Sequence, residues 1–149
     1  MARNILIYGS RDLGLIAREI IEKSNDLAFM GFIDDMNTGQ DILGSLEEVH
    51  KKVNLAQVEL AFAIGYKNLH TRTKVFARAR NFGFKIINLV SPYAYVGKGV
   101  QMGTGCLIMP GAHVDQYVKL GDGVVMWPRA TASHFCSVGS HSFLSPGST

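Results

Sequence analysis

VGKGVQ MGTGCL IMPGAH fills residues 96–113, and its residue types recur every six places. An apolar residue opens each hexad: Val96, Met102, Ile108. A small or β-branched residue stands fifth: Val100, Cys106, Ala112. Extended in both directions, the same cut fits ten consecutive hexads from Val90 to Thr149 with no insertion. Their first residues are Val90, Val96, Met102, Ile108, Val114, Leu120, Met126, Ala132, Val138 and Leu144; their fifth residues are all small or Val. An antiparallel strand repeats its faces every two residues and has no reason to keep every fifth position small. A six-residue period is that of a hexapeptide β-solenoid, in which three hexads close one triangular coil. The first residue of each hexad fills the interior, the fifth fits near a corner, and Gly, Pro and polar residues release the chain at turns. Ten hexads make about three coils. The closing LSPGST would then leave unpaired edge groups, so the expectation is that the native chain continues past Thr149 or that something covers that end.

Upstream the pattern differs. NILIYGS (4–10) is a short apolar run ending at a glycine, and LGLIAREIIEKS follows with Leu13, Ile16, Ile20 and Ile21 on one helical face. AFMGFIDD is a second strand closed by Asp34 and Asp35. GSLEEVHKK predicts a helix with Ser45 as N-cap and Glu48 completing a capping box. VELAFAIG is a third strand. NLHTRTKVFARARNFG predicts a helix that stops at Gly83, and KIINLV a final strand. Apolar strands alternating with helices indicate a parallel sheet covered on both faces.

Composition narrows the function classes. Of 149 residues 47% are hydrophobic, enough for packed cores, and 15 Lys and Arg against 12 Asp and Glu leave a net charge of +3. No basic run points to a nucleic-acid surface. No apolar stretch nears the ~18 residues of a membrane helix. MARNILIYGSRD does not read as a secretory leader, and Cys106 and Cys136 form no CxxC. The expectation is a cytoplasmic protein with reduced thiols.

The phrases ILIYGS…LG, GFIDD, LGSLEEV, AIGYKN, INLVSPYAYVGKGVQMGTGCLIMPGAHV and ASHFCSVGSHSFLSPGST occur in this order and cover nearly the whole chain. Together they resemble the sugar O-acyltransferase family of sialic-acid O-acetyltransferases and bacterial amino-sugar N-acetyltransferases. The resemblance implies a Rossmann-like, nucleotide-sugar-binding domain over residues 1–88 and a left-handed parallel β-helix over residues 89–149. It also implies acetyl-CoA as acyl donor, an amino or hydroxyl group of a nucleotide-linked sugar as acceptor, a place in bacterial surface glycan synthesis, and a homotrimer with active sites between neighbouring β-helices.

Residue by residue, the family's histidine segment matches ASHFCSVGS and gives the general-base role to His134. Imidazole suits proton removal near neutral pH, and a thioester needs no metal to react. His141 falls on a turn, and Phe143 stands where many relatives carry a second histidine. Relatives set an acidic residue beside the base; here the neighbours are Ser133 and Phe135, so the imidazolium is expected to lack a carboxylate. Ser133 and Ser142 are the implied cofactor contacts. Arg129, in MWPRAT, holds a CoA phosphate or is a solvated corner.

GSRDLG (9–14) follows a strand and opens a helix, as phosphate- and sugar-binding turns do, but it lacks the Gly-Gly-His-Gly ending of relatives. Gly9, Ser10, Arg11 and Gly14 are its candidate substrate contacts, with Arg11 a partner for phosphate. Asp34 and Asp35 contact a nucleoside or cap a turn. Gly65, Tyr66 and Lys67 line the same crevice or form the N-cap turn of the helix that starts at Asn68. His50, His70 and His113 show no ligand spacing, and no metal is expected. A second reading, a non-catalytic trimeric scaffold or regulator, draws on the missing acidic neighbour, the altered glycine turn and the few coils. The few coils also lead to an expectation of weak acetyl-CoA binding.

Overall fold

The apolar run after Asn4 forms strand β1 (Arg3–Tyr8), with Ile5 to Tyr8 all buried. In the computed structural model, which describes residues 1–65 and 67–149, it is the middle strand of a five-stranded parallel sheet. Chain order continues with α1 (Asp12–Glu22), β2 (Leu27–Ile33), β3 (Ile42–Gly44), α2 (Leu46–Lys52), β4 (Glu59–Phe62), α3 (Leu69–Asn81) and β5 (Ile86–Ile87). The sheet order is β3-β2-β1-β4-β5, so the chain reverses its direction of growth at β1. Leu13, Ala17, Ile20 and Ile21 turn one face of α1 inward. Leu6, Tyr8, Leu60, Phe62, Leu46, Val49, Phe76 and Ala79 join strands, α2 and α3 in one core. Both N-caps form: the Ser45–Glu48 capping box starts α2, and the Asn68 side chain accepts the Thr71 N–H at the start of α3.

Two elements differ from the sequence reading. β3 is an added edge strand; its three residues are too few for a periodic signal, and it forms because Phe32 and Ile33 of β2 offer it a partner. KIINLV is not one strand. It divides at Asn88 into β5 and β6 (Leu89–Val90), which belong to different sheets. The Asn88 side chain donates to the Gly103 carbonyl and accepts the Cys106 N–H. The chain forms two compact units, residues 1–87 and 88–149.

The second unit is built from two-residue strands, each made of the sixth residue of one hexad and the first of the next. After β6 come β7 (Tyr95–Val96), β8 (Gln101–Met102), β9 (Leu107–Ile108), β10 (His113–Val114), β11 (Lys119–Leu120), β12 (Val125–Met126), β13 (Thr131–Ala132), β14 (Ser137–Val138) and β15 (Phe143–Leu144). They form three parallel sheets, β13-β10-β7, β14-β11-β8 and β15-β12-β9-β6. His113 pairs with Thr131, Lys119 with Ser137 and Val125 with Phe143, each 18 residues on. Ile108, Val114, Leu120, Met126 and Ala132 line the interior with Cys106, Ala112, Val118, Val124 and Ala130. The fourth residue of the hexad takes positive φ from Gly99 through Gly147, including the non-glycines Tyr117, Arg129, Phe135 and His141. Tyr95, at a sixth hexad position, and Met109 and Trp127, at second positions, read as exposed apolar surface in the sequence. Tyr95 is exposed, but Trp127 is half-buried and Met109 fully buried. The Ile108–Met126 register sets Met109 in line with the indole of the next coil. Among the described residues no helix is long and apolar enough to cross a membrane.

Candidate active site

In the first unit the candidate residues gather at the C-terminal ends of β1, β2 and β4, where ligands bind in parallel sheets that reverse direction. Gly9 has φ +112°, and a Cβ there would lie 2.4 Å from the Ala63 carbonyl oxygen; one on Gly14 would lie 2.0 Å from the Gly9 oxygen. Both glycines therefore serve close backbone packing of β1, β4 and α1. The Gly9 N–H is already donated to Ile33. Ser10 donates its hydroxyl to Asp34, whose carboxylate also accepts the Met36 and Asn37 N–H groups and the Asn37 side-chain amide. Partial burial alone would raise the Asp34 carboxyl, but these hydrogen bonds outweigh it and hold it below its ordinary value. Asp35 accepts the Tyr8 hydroxyl and the Leu46 N–H at the start of α2. Burial, then that bond to Asp35, pushes the Tyr8 phenol well above its usual range. Both carboxylates thus hold turns and helix ends together, which is the capping alternative for this pair.

Arg11 donates to the Asn37 side chain at 2.8 Å. The two face an open cleft of about 570 Å³, lined also by Ser10, Arg18, Thr38 and Gln40. Arg18 is engaged with Glu22 and Asp41 at 2.7 and 2.9 Å. Gly65 and Lys67 are exposed on the loop after β4, and Tyr66 lies outside the described residues. Arg72 was missed in the sequence. It is fully buried, donates Nε to the Ile64 carbonyl at 3.0 Å and sets its guanidinium 4.9 Å from the Phe62 ring centre. The signal was its spacing: Arg72, Phe76 and Ala79 share the inward face of α3.

In the second unit His134 follows β13, with its side chain 69% exposed. Its lack of an acidic neighbour in sequence is overturned in space. Asp115 comes from the preceding coil, and its Oδ2 lies 3.5 Å from His134 Nδ1. His113 stands on the other side, Nε2 at 4.0 Å from Asp115 Oδ1, with its ring stacked on Tyr95. The Gln116 N–H bonds Asp115 at 2.7 Å. That bond is the largest influence; burial opposes it, and His113 and then His134 add to it, so the Asp115 carboxyl is held below its ordinary value. Phe135 meets the His134 ring edge-on and stacks on Tyr117 of the coil before, centres 5.1 Å apart and planes 8° from parallel.

The implied cofactor serines differ. Ser133 is exposed, whereas the Ser142 hydroxyl donates to the Gly139 carbonyl within a turn. His141 sits on a left-handed turn and bonds through its N–H to Asp122. Arg129 is exposed on the equivalent turn of another corner. Among the described residues no three His, Cys, Asp or Glu side chains are grouped to hold a metal ion.

No family model and no curated protein matches the chain. Solved structures do. The acetyltransferase domain of PglB from Neisseria gonorrhoeae is 26% identical with a TM-score of 0.89, over 97% of this chain and 72% of that one. The same domain in complex with acetyl coenzyme A aligns over 99% of this chain and 72% of that one, at 25% identity and a TM-score of 0.89. A variant of perosamine N-acetyltransferase from Caulobacter crescentus, in complex with CoA and GDP-perosamine, has a TM-score of 0.74 at 20% identity, over 94% of this chain and 76% of that one. The structural neighbours of this chain are thus acetyltransferases, the class of protein that its hexads and N-terminal phrases resemble.

Proposed function

We propose that the chain is an acetyl-CoA-dependent transferase that acylates an amino or hydroxyl group of a nucleotide-linked sugar. In this reading residues 1–88 are a Rossmann-like domain that holds the nucleotide sugar. Residues 89–149 are a left-handed β-helix that carries the base. The protein acts in the cytoplasm as a homotrimer in bacterial surface glycan synthesis. The observation that carries the reading is the exposed His134 imidazole on a hexapeptide solenoid, in a chain whose fold follows an acetyltransferase domain in complex with acetyl coenzyme A over 99% of its length.

Acetyl-CoA supplies an acyl group already activated as a thioester. Nε2 of His134 takes the proton from the acceptor nitrogen or oxygen as that atom bonds to the thioester carbonyl carbon. The C–S bond then breaks, and the proton leaves on the CoA thiol. Arg11 and Lys67 are cations suited to the phosphates of the nucleotide-linked acceptor, and Gly9, Ser10, Gly14 and Gly65 belong to the turns beside them. In the coil of the base, Ser133 offers a free-standing hydroxyl for the cofactor. Ser142 does so only by giving up its bond to Gly139.

The test is thiol release from acetyl-CoA in the presence of UDP-, GDP- and CMP-linked amino sugars. His134→Ala should lower the rate by about 10²- to 10⁴-fold, the usual effect of losing a general base, with an unchanged circular-dichroism spectrum. His141→Ala should lower it by less than about threefold, since a turn residue contributes no proton transfer. Equal losses from both substitutions, or none from either, would remove His134 from the role. No thiol release with any acceptor would favour the scaffold reading.

A further inference from the structure

We infer that Asp115 is the residue that positions His134: from the preceding coil, it holds the imidazole by Nδ1 and leaves Nε2 bare for the acceptor proton. This rests on the reading of His134 as the base.

The arrangement follows from the solenoid register. Thr131 and Ala132 pair with His113 and Val114. Ser133 therefore stands in line with Asp115, and His134 with Gln116, about one strand spacing of ~4.8 Å away. A carboxylate on the second position of one coil reaches diagonally to an imidazole on the third position of the next. The 3.5 Å between Asp115 Oδ2 and His134 Nδ1 is an ion-pair distance, and such contacts tighten to hydrogen bonds when substrate is bound. The carboxylate is itself aimed, because the Gln116 N–H bonds its other oxygen. His113 approaches that same oxygen, at 4.0 Å, so the acid lies between two imidazoles and stays ionised.

The opposite side of the His134 ring is fixed as well. The Phe135 N–H is donated to the Gln116 carbonyl, and its ring is stacked on Tyr117. Phe135 and Tyr117 both adopt φ near +60°, a conformation that disfavours side chains beyond glycine. Phe135, one of the two sequence neighbours of His134, walls the imidazole edge-on. The charge comes from a different part of the chain.

The chemistry is that of an oriented base. In a neutral imidazole only one nitrogen carries the proton, and the hydrogen bond made at one decides the state of the other. A carboxylate accepting Nδ1–H leaves the lone pair on Nε2 and stabilises the imidazolium formed when Nε2 takes a proton.

The experiment reads both tautomer and rate. In the ¹⁵N spectrum of the full chain without substrates, at a pH where imidazole is neutral, His134 should carry its proton mainly on Nδ1. Asp115→Ala should shift it toward Nε2–H, and Asp115→Glu should restore part of the Nδ1–H population. In the acetyl-transfer assay Asp115→Ala should cost roughly 10- to 100-fold in kcat, the scale expected of an orienting partner, with the KM for acetyl-CoA within about twofold. Should Asp115→Ala fail to fold, the carboxyl ¹³C titration of Asp115 in His134→Ala replaces it; removing the exposed imidazole should move that titration upward.

An unchanged tautomer in Asp115→Ala, or an unmoved Asp115 titration in His134→Ala, overturns the inference even where His134→Ala is inactive. A tautomer that shifts as stated, in a protein where His134→Ala retains full activity, keeps the positioning contact and overturns the general-base reading instead.

Discussion

Four turn residues of the solenoid, Tyr117, Arg129, Phe135 and His141, hold φ between 58° and 63°, where the other corners of the same kind carry glycine. For an L-residue this conformation costs about 1–2 kcal/mol, against which glycine gives back part through its freer unfolded chain. The four positions are not alike. Tyr117 and Phe135 stack on each other beside His134, so their strain is matched by a contact at the site. Arg129 is exposed at a different corner. Arg129→Gly should therefore stabilise the protein by about 0.5–1 kcal/mol, seen as a melting temperature higher by roughly 1–4 °C for a chain of this size. A melting temperature that stays or drops would mean that the Arg129 side chain makes a contact worth more than the strain. The same variant measured for its KM toward acetyl-CoA separates the two readings of this residue: a rise marks a phosphate contact, and an unchanged value marks a solvated corner.

Among the elements of the first unit, the joint between β1 and β2 is electrostatic as well as apolar. Ser10 follows β1 and Asp34 follows β2, and the carboxylate collects donors from Ser10, Met36 and Asn37. Its folded value lies below the ordinary 3.8. The unfolded chain consequently binds the proton more tightly than the folded one. The stability contributed by Asp34 is present in full above pH ~4 and is lost as pH falls from there through the lower folded value. Urea unfolding measured from pH 6 downward should show stability falling with acid, and Asp34→Asn should show a shallower fall below pH ~4. Parallel acid profiles for the two proteins would show that Asp34 ionises in the folded state as it does in the unfolded one. The cap at α2 was legible from four residues, because Ser45 and Glu48 act within one turn of helix. β3 was not legible, because a three-residue edge strand exists only through its pairing with β2.

At the scale of the whole molecule, the exposed aromatic residues of the solenoid are the feature left to account for. Tyr93, Tyr95, Tyr117 and Phe135 are 64%, 49%, 42% and 71% exposed. Large apolar side chains grouped on a regular surface mark interfaces, and cyclic assembly buries the same patch on every copy. The expected outcome is a trimer, with a mass by light scattering about three times 16.3 kDa at micromolar concentration. A monomeric mass would show that these rings face solvent. Met109 takes no part in such a surface, because it is buried within the protomer.

The hexapeptide code is local: whether a side chain points in or out depends on its place among six residues, so the interior of the solenoid could be listed from the sequence and its 18-residue pairing counted. Helix caps are local in the same sense, and so is the amphipathic spacing of α1. His134 could be picked out because its segment resembles that of known acyltransferases. Its surroundings could not. Asp115 stands 19 residues earlier and becomes a neighbour only when one coil has closed and set its second position beside the third position of the next. Arg72, a cation in a helix rich in cations, is assigned to the interior only because the end of β4 presents a carbonyl and an aromatic ring to it. Asp34 and Asp35 are alike as adjacent carboxylates in the sequence. The fold gives one to Ser10 and the Asn37 turn, and the other to Tyr8 and the start of α2. Conformation set within a few residues was thus determined by the sequence alone. Electrostatic partners separated by a coil or a crossover were decided by the tertiary structure, because charge acts through distance in space and not along the chain.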